Sequence, residues 1–266
     1  MPDIDQEQIK TFRETVFSFY EEHGRDLPWR KTTDRYKIWV SEVMLQQTQV
    51  SRVVPKWTAW MEQWPTVDTL ANTQFKDVLS LWKGLGYNNR ARWLHNAAQK
   101  VVEEYDGEVP ADVDELQELP GIGPYTANAI RIFADNADRV TVDTNIRRVF
   151  IDAFDLDEDL TEQQLYDLAR RVLPEGDSRR WHNALMDYGA MEKTSQETGV
   201  SPTTTQSSFE GSRRYYRGQI LDRLLDEPRS VSWLQEEFDA DVAGILEDLA
   251  DDGMITRQDG TVYIDD

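Results

Sequence analysis

Glu42 lies in Trp39-Val-Ser-Glu-Val-Met-Leu-Gln-Gln-Thr-Gln-Val50, with apolar neighbours at 38, 39, 43 and 45. Part of the helix face around it should therefore be buried. Burial disfavours the charged form of a carboxyl, which suits a general acid near neutral pH. The plainer alternative is a solvated glutamate on a helix surface. Asp143 lies in Arg139-Val-Thr-Val-Asp-Thr-Asn-Ile-Arg-Arg-Val149, after an apolar stretch and directly before a helical pattern. It reads as a helix N-cap. It could serve as both cap and site, because a carboxylate held by backbone N–H groups stays ionised and can stabilise a cation. A third segment, Leu119-Pro-Gly-Ile-Gly-Pro-Tyr-Thr-Ala-Asn128, spaces two glycines by one apolar residue and runs straight into a helix. Gly121 and Gly123 permit positive φ and close backbone approach, and Ile122 can anchor the turn. The helix N-terminus beyond could hold a phosphate without any Lys or Arg. An ordinary glycine-rich turn between helices is the other reading.

Composition limits the setting. The 266 residues carry 29 Lys plus Arg against 50 Asp plus Glu, a formal net charge of -21. The pI is near 4.5. A 39% hydrophobic fraction with nine Trp, ten Tyr and nine Phe is globular, and the length suits one or two domains of roughly 100–200 residues. Zero Cys excludes disulfides, thiol nucleophiles and cysteine-bound metal. The start, MPDIDQEQIKTFRETVFSFY, has no apolar core of a secretory signal, and no run of 18 apolar residues occurs. The expectation is a soluble intracellular protein, cytoplasmic and nucleoid-associated, without membrane contact. Such a charge argues at face value against nucleic acid as a partner. However, the basic residues are 21 Arg and only 8 Lys, and the acids are spread along the chain. A high-salt proteome would produce both features, since screening removes the self-repulsion. A halophilic source is therefore expected.

The elements that must position these residues are almost all helical. Ile4, Ile9, Phe12, Val16, Phe17 and Tyr20 recur at helical spacing in an opening helix, followed by an LPWR loop at Leu27–Arg30. One long helix is expected over about 38–54. Others are expected near 55–63, 74–82, 88–105, 145–154, 161–173 and 177–191, with two more flanking 119–124. Gly84 and Gly107 read as C-terminal stops. Residues 192–212 hold ten Ser or Thr and read as a linker. Beyond them, three short helices and a hairpin around Asp259-Gly260 outline a winged helix.

Five segments in this order carry a family likeness: SEVMLQQTQV (41–50), LWKGLGYNNRARWLH (81–95), LPGIGPYTANAI (119–130), VDTNIRRV (142–149) and ALMDYGAM (184–191). Over about residues 5–191 the chain resembles the MutY-type adenine DNA glycosylases of the helix-hairpin-helix (HhH-GPD) superfamily. The resemblance implies an all-α, two-lobed fold. A six-helix lobe would span 28–136, and a second lobe would combine 1–27 with 137–192. The linker is then 193–212, and a small winged-helix-like domain fills 213–266. It implies that Glu42 protonates adenine, that Asp143 stabilises the sugar cation across the cleft, and that Asn145 assists. Tyr125 stands where bifunctional relatives carry a nucleophilic Lys, and a Tyr cannot form a Schiff base. Arg30, Gln47, Thr48, Leu85 and Tyr87 match DNA- or base-contacting positions, as do Gly121, Ile122 and Gly123 of the hairpin. That hairpin could also hold a monovalent cation.

Two departures qualify the likeness. The family's four iron–sulfur cysteines would fall near Lys193, Val200, Thr203 and Phe209, none of which can ligate a cluster. No cofactor is expected. Residues 213–266 are also too short and too helical for the Nudix-like domain that reads 8-oxoguanine. Asp241, Glu247, Asp248 and Asp251 on the expected recognition helix argue for protein contact or packing, whereas Arg213, Arg214, Tyr215, Tyr216 and Arg217 form a basic-aromatic cluster suited to phosphate or bases. The expected partner is double-stranded DNA containing adenine mispaired with guanine or 8-oxoguanine. The expected activity is monofunctional hydrolysis of the N-glycosidic bond. The alternatives are thymine removal from a G·T mispair, or a catalytically silent DNA-binding or adaptor protein.

Overall fold

The computed structural model describes residues 4–200 and 209–265. Helix α1 is Gln6–His23, opened by a capping box in which the Asp5 carboxylate accepts the Gln8 amide and Gln8 Oε1 accepts the Asp5 amide, both at 2.8 Å. The LPWR segment contains a single 3-10 turn, Pro28–Lys31. The helix expected over 38–54 is two helices, α2 (Arg35–Leu45) and α3 (Val50–Gln63). Gln47 between them takes a left-handed φ of 53°, which no helix interior accepts. Pro55, where the sequence suggested a boundary, is instead absorbed inside α3.

Then follow α4 (Val67–Ala71), α5 (Phe75–Trp82), α6 (Asn89–Glu104), α7 (Val113–Gln117) and α8 (Pro124–Asp135). Next are α9 (Thr144–Ala153), α10 (Glu162–Val172), α11 (Ser178–Met191) and α12 (Ser195–Thr198). The last of these lies inside the expected linker, opened by its own capping box at Thr194. The C-terminal segment runs α13 (Arg213–Asp226), β1 (Arg229–Ser230), α14 (Val231–Glu237), α15 (Val242–Asp251), β2 (Ile255–Gln258) and β3 (Thr261–Ile264). Its antiparallel sheet has the order β1-β3-β2, with Gln258 opposite Thr261. Asp259 and Gly260 both take positive φ, as a two-residue hairpin turn requires. Three helices and this sheet make the winged-helix arrangement.

The chain forms two compact units. One runs up to Trp39 and resumes at Ile122, and the other takes Val40–Gly121 with the C-terminal segment. This differs from the expected lobes, which placed 28–39 and 122–136 with the six-helix part. The physical reason is packing on α8, where Ala129, Ile132 and Phe133 bury against Ile38, and Arg35 pairs with Asp135 at 2.8 Å.

In the first unit, Phe12, Val16, Val149, Phe150, Leu168, Trp181 and Leu185 form the core of α1, α9, α10 and α11. Asp187 of α11 is fully buried and takes the Arg25 amide at 2.8 Å, Arg25 Nε at 2.7 Å and both terminal nitrogens of Arg30 at 2.7 and 2.8 Å. Burial pushes its carboxyl up, but Arg30 and then Arg25 outweigh this, and the net shift is downward. In the second unit, Trp60 meets Trp64 and Trp82 edge-on at 4.7 and 5.8 Å. The winged-helix segment has its own core of Ile220, Leu224, Leu234, Leu246, Leu249 and Val262.

His182 is buried in the first unit, with Nδ1 2.8 Å from the Ser178 carbonyl and Nε2 accepting the Thr141 amide at 3.3 Å. That pattern needs the neutral Nδ1–H tautomer, and burial lowers its pKa to about 4. The unfolded chain therefore binds a proton that the fold refuses between the ordinary value of 6.5 and about 4. Stability rises with pH across that window and is lost on acidification through it. Urea titrations at pH 4.5 and 7 should show this slope in the wild type and a loss of about 1 kcal/mol or more of it in His182→Gln.

Candidate active site

Glu42 sits in the last two turns of α2, 9% exposed, between Ser41 and Val43, which are also buried. The surface alternative for this residue is therefore removed. What fixes the end of α2 is a residue that the sequence reading passed over. Arg90, at the second position of α6, is 4% exposed. Its guanidinium donates to the carbonyls of Val43 (2.7 Å) and Met44 (3.0 Å), C-terminal acceptors that helix geometry leaves unsatisfied, and to that of Gln46 (2.7 Å) just beyond the helix. It also donates to Thr48 Oγ1 (3.0 Å), the Gly86 carbonyl (2.9 Å) and the Leu85 carbonyl (3.2 Å). One side chain thus caps the Glu42 helix and ties it to both segments singled out for base contact. Burial lowers the Arg90 pKa to about 10, which still leaves it charged at neutral pH.

Around this arginine the expected contact residues separate. Gln47 is exposed on its left-handed backbone, while Thr48 is half-buried and donates to the Leu85 carbonyl at 3.2 Å. Leu85 was expected beside Tyr87 in a probing loop, but its side chain is buried and anchors the loop. Tyr87 is 36% exposed, with φ 48°, and lies between Gly86 (φ 74°) and polar Asn88. Arg90 lies 5.6 Å from its ring centroid.

The first unit holds the other acid in a parallel way. Asp143 is the N-cap of α9, and its Oδ1 accepts the Ile146 amide at 2.7 Å. Its Oδ2 accepts Asn145 Nδ2 at 3.1 Å, and Asn145 Oδ1 in turn accepts Arg148 at 2.7 Å. Arg148, also buried, donates to the Gly189 carbonyl at 2.8 Å and to the Lys193 carbonyl, closing the end of α11. Gly189 is required here, because a Cβ would stand 2.9 Å from Asn145 Cβ and 3.0 Å from its carbonyl oxygen. The sequence suggested that Asp143 is held ionised. Burial instead raises its pKa, outweighing the Ile146 amide, Asn145 and Arg148. The arrangement presents an oriented but under-solvated carboxyl, able to gain more from a developing cation than from its resting surroundings.

At the hairpin, Gly121 takes φ 77°, and a Cβ there would meet Trp93 Cβ at 2.8 Å. Gly123 is the N-cap of α8 at φ -91°, so positive φ is not what requires glycine at that position. Ile122 is buried while Gly121, Gly123 and Pro124 are exposed. Tyr125, on the first turn of α8, is half-buried against the Ile132–Phe133 cluster. The Arg30 guanidinium is 11% exposed and pairs with Asp187, so it also serves the framework.

The positions expected for a cluster do not fit one. Lys193 pairs with Asp152 at 2.9 Å, Val200 is buried in the first unit's core, Phe209 stacks edge-on with Tyr215 at 5.7 Å, and Thr203 lies outside the described residues. No group of three or more His, Cys, Asp or Glu among the described residues could hold a metal. No described helix is long and apolar enough to cross a membrane. The basic-aromatic cluster is largely spent internally. Arg213 pairs with Asp248 (2.7 Å) and Asp241 (3.3 Å), and Arg217 pairs with Asp252. These pairs also account for three of the acids on or capping α15, Asp241, Asp248 and Asp252.

Residues 40–175 match the model of the HhH-GPD superfamily base excision DNA repair proteins. Adenine DNA glycosylase of Mycolicibacterium smegmatis is 37% identical over 91% of this chain and 92% of its own length. The human adenine DNA glycosylase is also 37% identical, over 82% of this chain, which spans only 42% of that longer protein. Among solved structures, a thermostable thymine-DNA glycosylase superposes with a TM-score of 0.65 at 27% identity, covering 74% of this chain and 95% of that one. A DNA-bound endonuclease III gives 0.65 at 19% identity, over 83% and 100%, a likeness of fold. The chain belongs to the HhH-GPD superfamily of base excision DNA repair proteins and, within it, to the adenine DNA glycosylases.

Two substitutions test the geometry. Arg90→Met leaves the buried acceptors at the end of α2 unpaired and should cost on the order of 3–5 kcal/mol in urea unfolding. Amides at 47–48 and 85–87 should exchange faster. Asp143→Asn keeps an N-capping side chain and removes the desolvated charge. For a carboxyl whose folded pKa is raised, the penalty is full above that folded value and absent below the unfolded one. The variant should therefore melt above the wild type at pH 7, with the advantage vanishing in acid.

Proposed function

We propose that this protein hydrolyses the N-glycosidic bond of adenine mispaired with guanine or 8-oxoguanine in duplex DNA, leaving an abasic site. The observation that carries the reading is Glu42, a buried acid on a capped helix end, in a chain 37% identical to an adenine DNA glycosylase over 91% of its length. Adenine leaves poorly as an anion. A proton delivered by the Glu42 carboxyl lets it depart neutral, while positive charge builds on the deoxyribose. Asp143, oriented by the Ile146 amide and Asn145, is suited to stabilise that charge until water adds at C1′. Tyr125 has no amine, so no Schiff base forms and strand cleavage is not part of the reaction.

The target base must leave the stack to reach these groups. The exposed Tyr87 ring and Gln47 support a role at the vacated position and at the opposite base. The exposed hairpin glycines and the α8 N-terminus offer backbone dipoles to a phosphate. Contacts of this kind work at short range, which suits a chain of net charge -21 in the high-salt setting inferred from its composition. No cofactor enters any step.

The test is a panel of A·G, A·8-oxoguanine, G·T and matched duplexes, assayed from low to molar salt. Adenine release from the first two is expected, with turnover lost in Glu42→Gln while duplex binding persists. Release of thymine alone would move the assignment to the G·T class, and no base release at any salt would sink it.

A further inference from the structure

The C-terminal segment belongs to the same compact unit as the loop carrying Tyr87, and it grips that loop and the start of α6 at several points. Lys83 pairs with Asp222 at 3.2 Å, Arg217 donates to Asn89 Oδ1 at 2.9 Å, and Arg92 pairs with Asp265 at 2.6 Å. The most direct link is to the ring itself. Arg214 of α13 donates to the Tyr87 hydroxyl, and its guanidinium carbon lies 5.2 Å from the ring centroid. Arg90 lies over the same ring at 5.6 Å. Tyr87 therefore has two guanidinium groups at its ring, one of which also holds its hydroxyl, yet remains 36% exposed. It does so on a left-handed backbone that a bulky residue adopts only when its surroundings enforce it.

We propose that Arg214 is a positioning residue: from the winged-helix segment it holds the Tyr87 ring in its outward pose, so that the ring fills the gap left by the extruded base. The inference rests on the reading above that Tyr87 enters the duplex. A wedge must resist being pushed aside as it unstacks a base step. A ring fixed before binding loses less freedom on entry than a mobile one. The winged-helix segment then acts in DNA engagement through the loop it braces. Its own helix α15 has acids turned to Arg213, and so does not serve as a basic reading head.

The experiment is a double-mutant cycle on the full chain. Affinity is measured by anisotropy for a duplex with a tetrahydrofuran abasic-site analogue opposite guanine, and 2-aminopurine beside the gap reports unstacking. Arg214→Ala should weaken binding about tenfold and dim the 2-aminopurine signal to the level of Tyr87→Ala. In the Tyr87→Ala background the same substitution should change affinity less than about twofold. Arg214→Lys keeps the charge without the planar fork over the ring and should stay weak. Equal losses in both backgrounds, or full recovery by lysine, would make Arg214 a separate phosphate contact and overturn the proposal. Undiminished binding by Arg214→Ala would overturn it as well. Single-turnover adenine release by the wild type is read separately. Coupling without release would overturn the proposed activity and leave this inference standing. A wild type blind to the abasic duplex would overturn both.

Discussion

Everything placed at the candidate site depends on how helix ends are satisfied by buried guanidinium groups. A helix that stops inside a protein leaves carbonyls without partners, and those groups cannot be left dry. Arg90 answers this for α2 and Arg148 for α11. Each then uses its remaining donors on a site segment, Thr48 and the 85–86 carbonyls in one unit and Asn145 in the other. Glu42 thus stands in the last turn of a guanidinium-capped helix, and Asp143, itself the cap of α9, is tied through Asn145 to the arginine that closes α11. An arginine does this better than a lysine because its planar fork offers several donors in fixed directions and keeps its charge when buried.

The same economy explains how so acidic a chain holds itself together. Of its 21 arginines, those at 25, 30, 90, 148, 213 and 217 are engaged with carboxylates or carbonyls of the fold. Positive charge is spent on internal order. What is offered outward near the site includes backbone dipoles and the Tyr87 and Trp93 rings.

Much of this was legible in the sequence. The helical spacing gave the opening helix, the Asp259-Gly260 dipeptide marked the hairpin, and the five motifs led to Glu42, Asp143, Asn145 and Tyr87. The break at 46–49 was not legible, because Val50 and Val53 continue the apolar pattern and the cause of the break sits some forty residues away in Arg90. A trace of that cause does exist. Arg90 extends the buried stripe Leu94, Ala97, Ala98 and Val101 by one turn, which a surface arginine would not do. The commitment of Arg30 to Asp187 was invisible for a similar reason, since 157 residues separate partners that only tertiary packing brings together. Leu85 and Tyr87 are alike in local sequence and differ only in which side of the loop the core takes.

The division of the chain into interleaved units bears on its birth. Helix α1 emerges long before its partners, since Arg13 takes the carbonyls of Val172 and Leu173, and Arg25 waits for Asp187. On a ribosome the opening 39 residues must be kept out of trouble until more than a hundred others have emerged. The second unit likewise joins residues 40–121 to a segment that follows nearly a hundred residues later. Neither unit is an uninterrupted stretch that could finish early, so the nascent chain should commit late and nearly all at once.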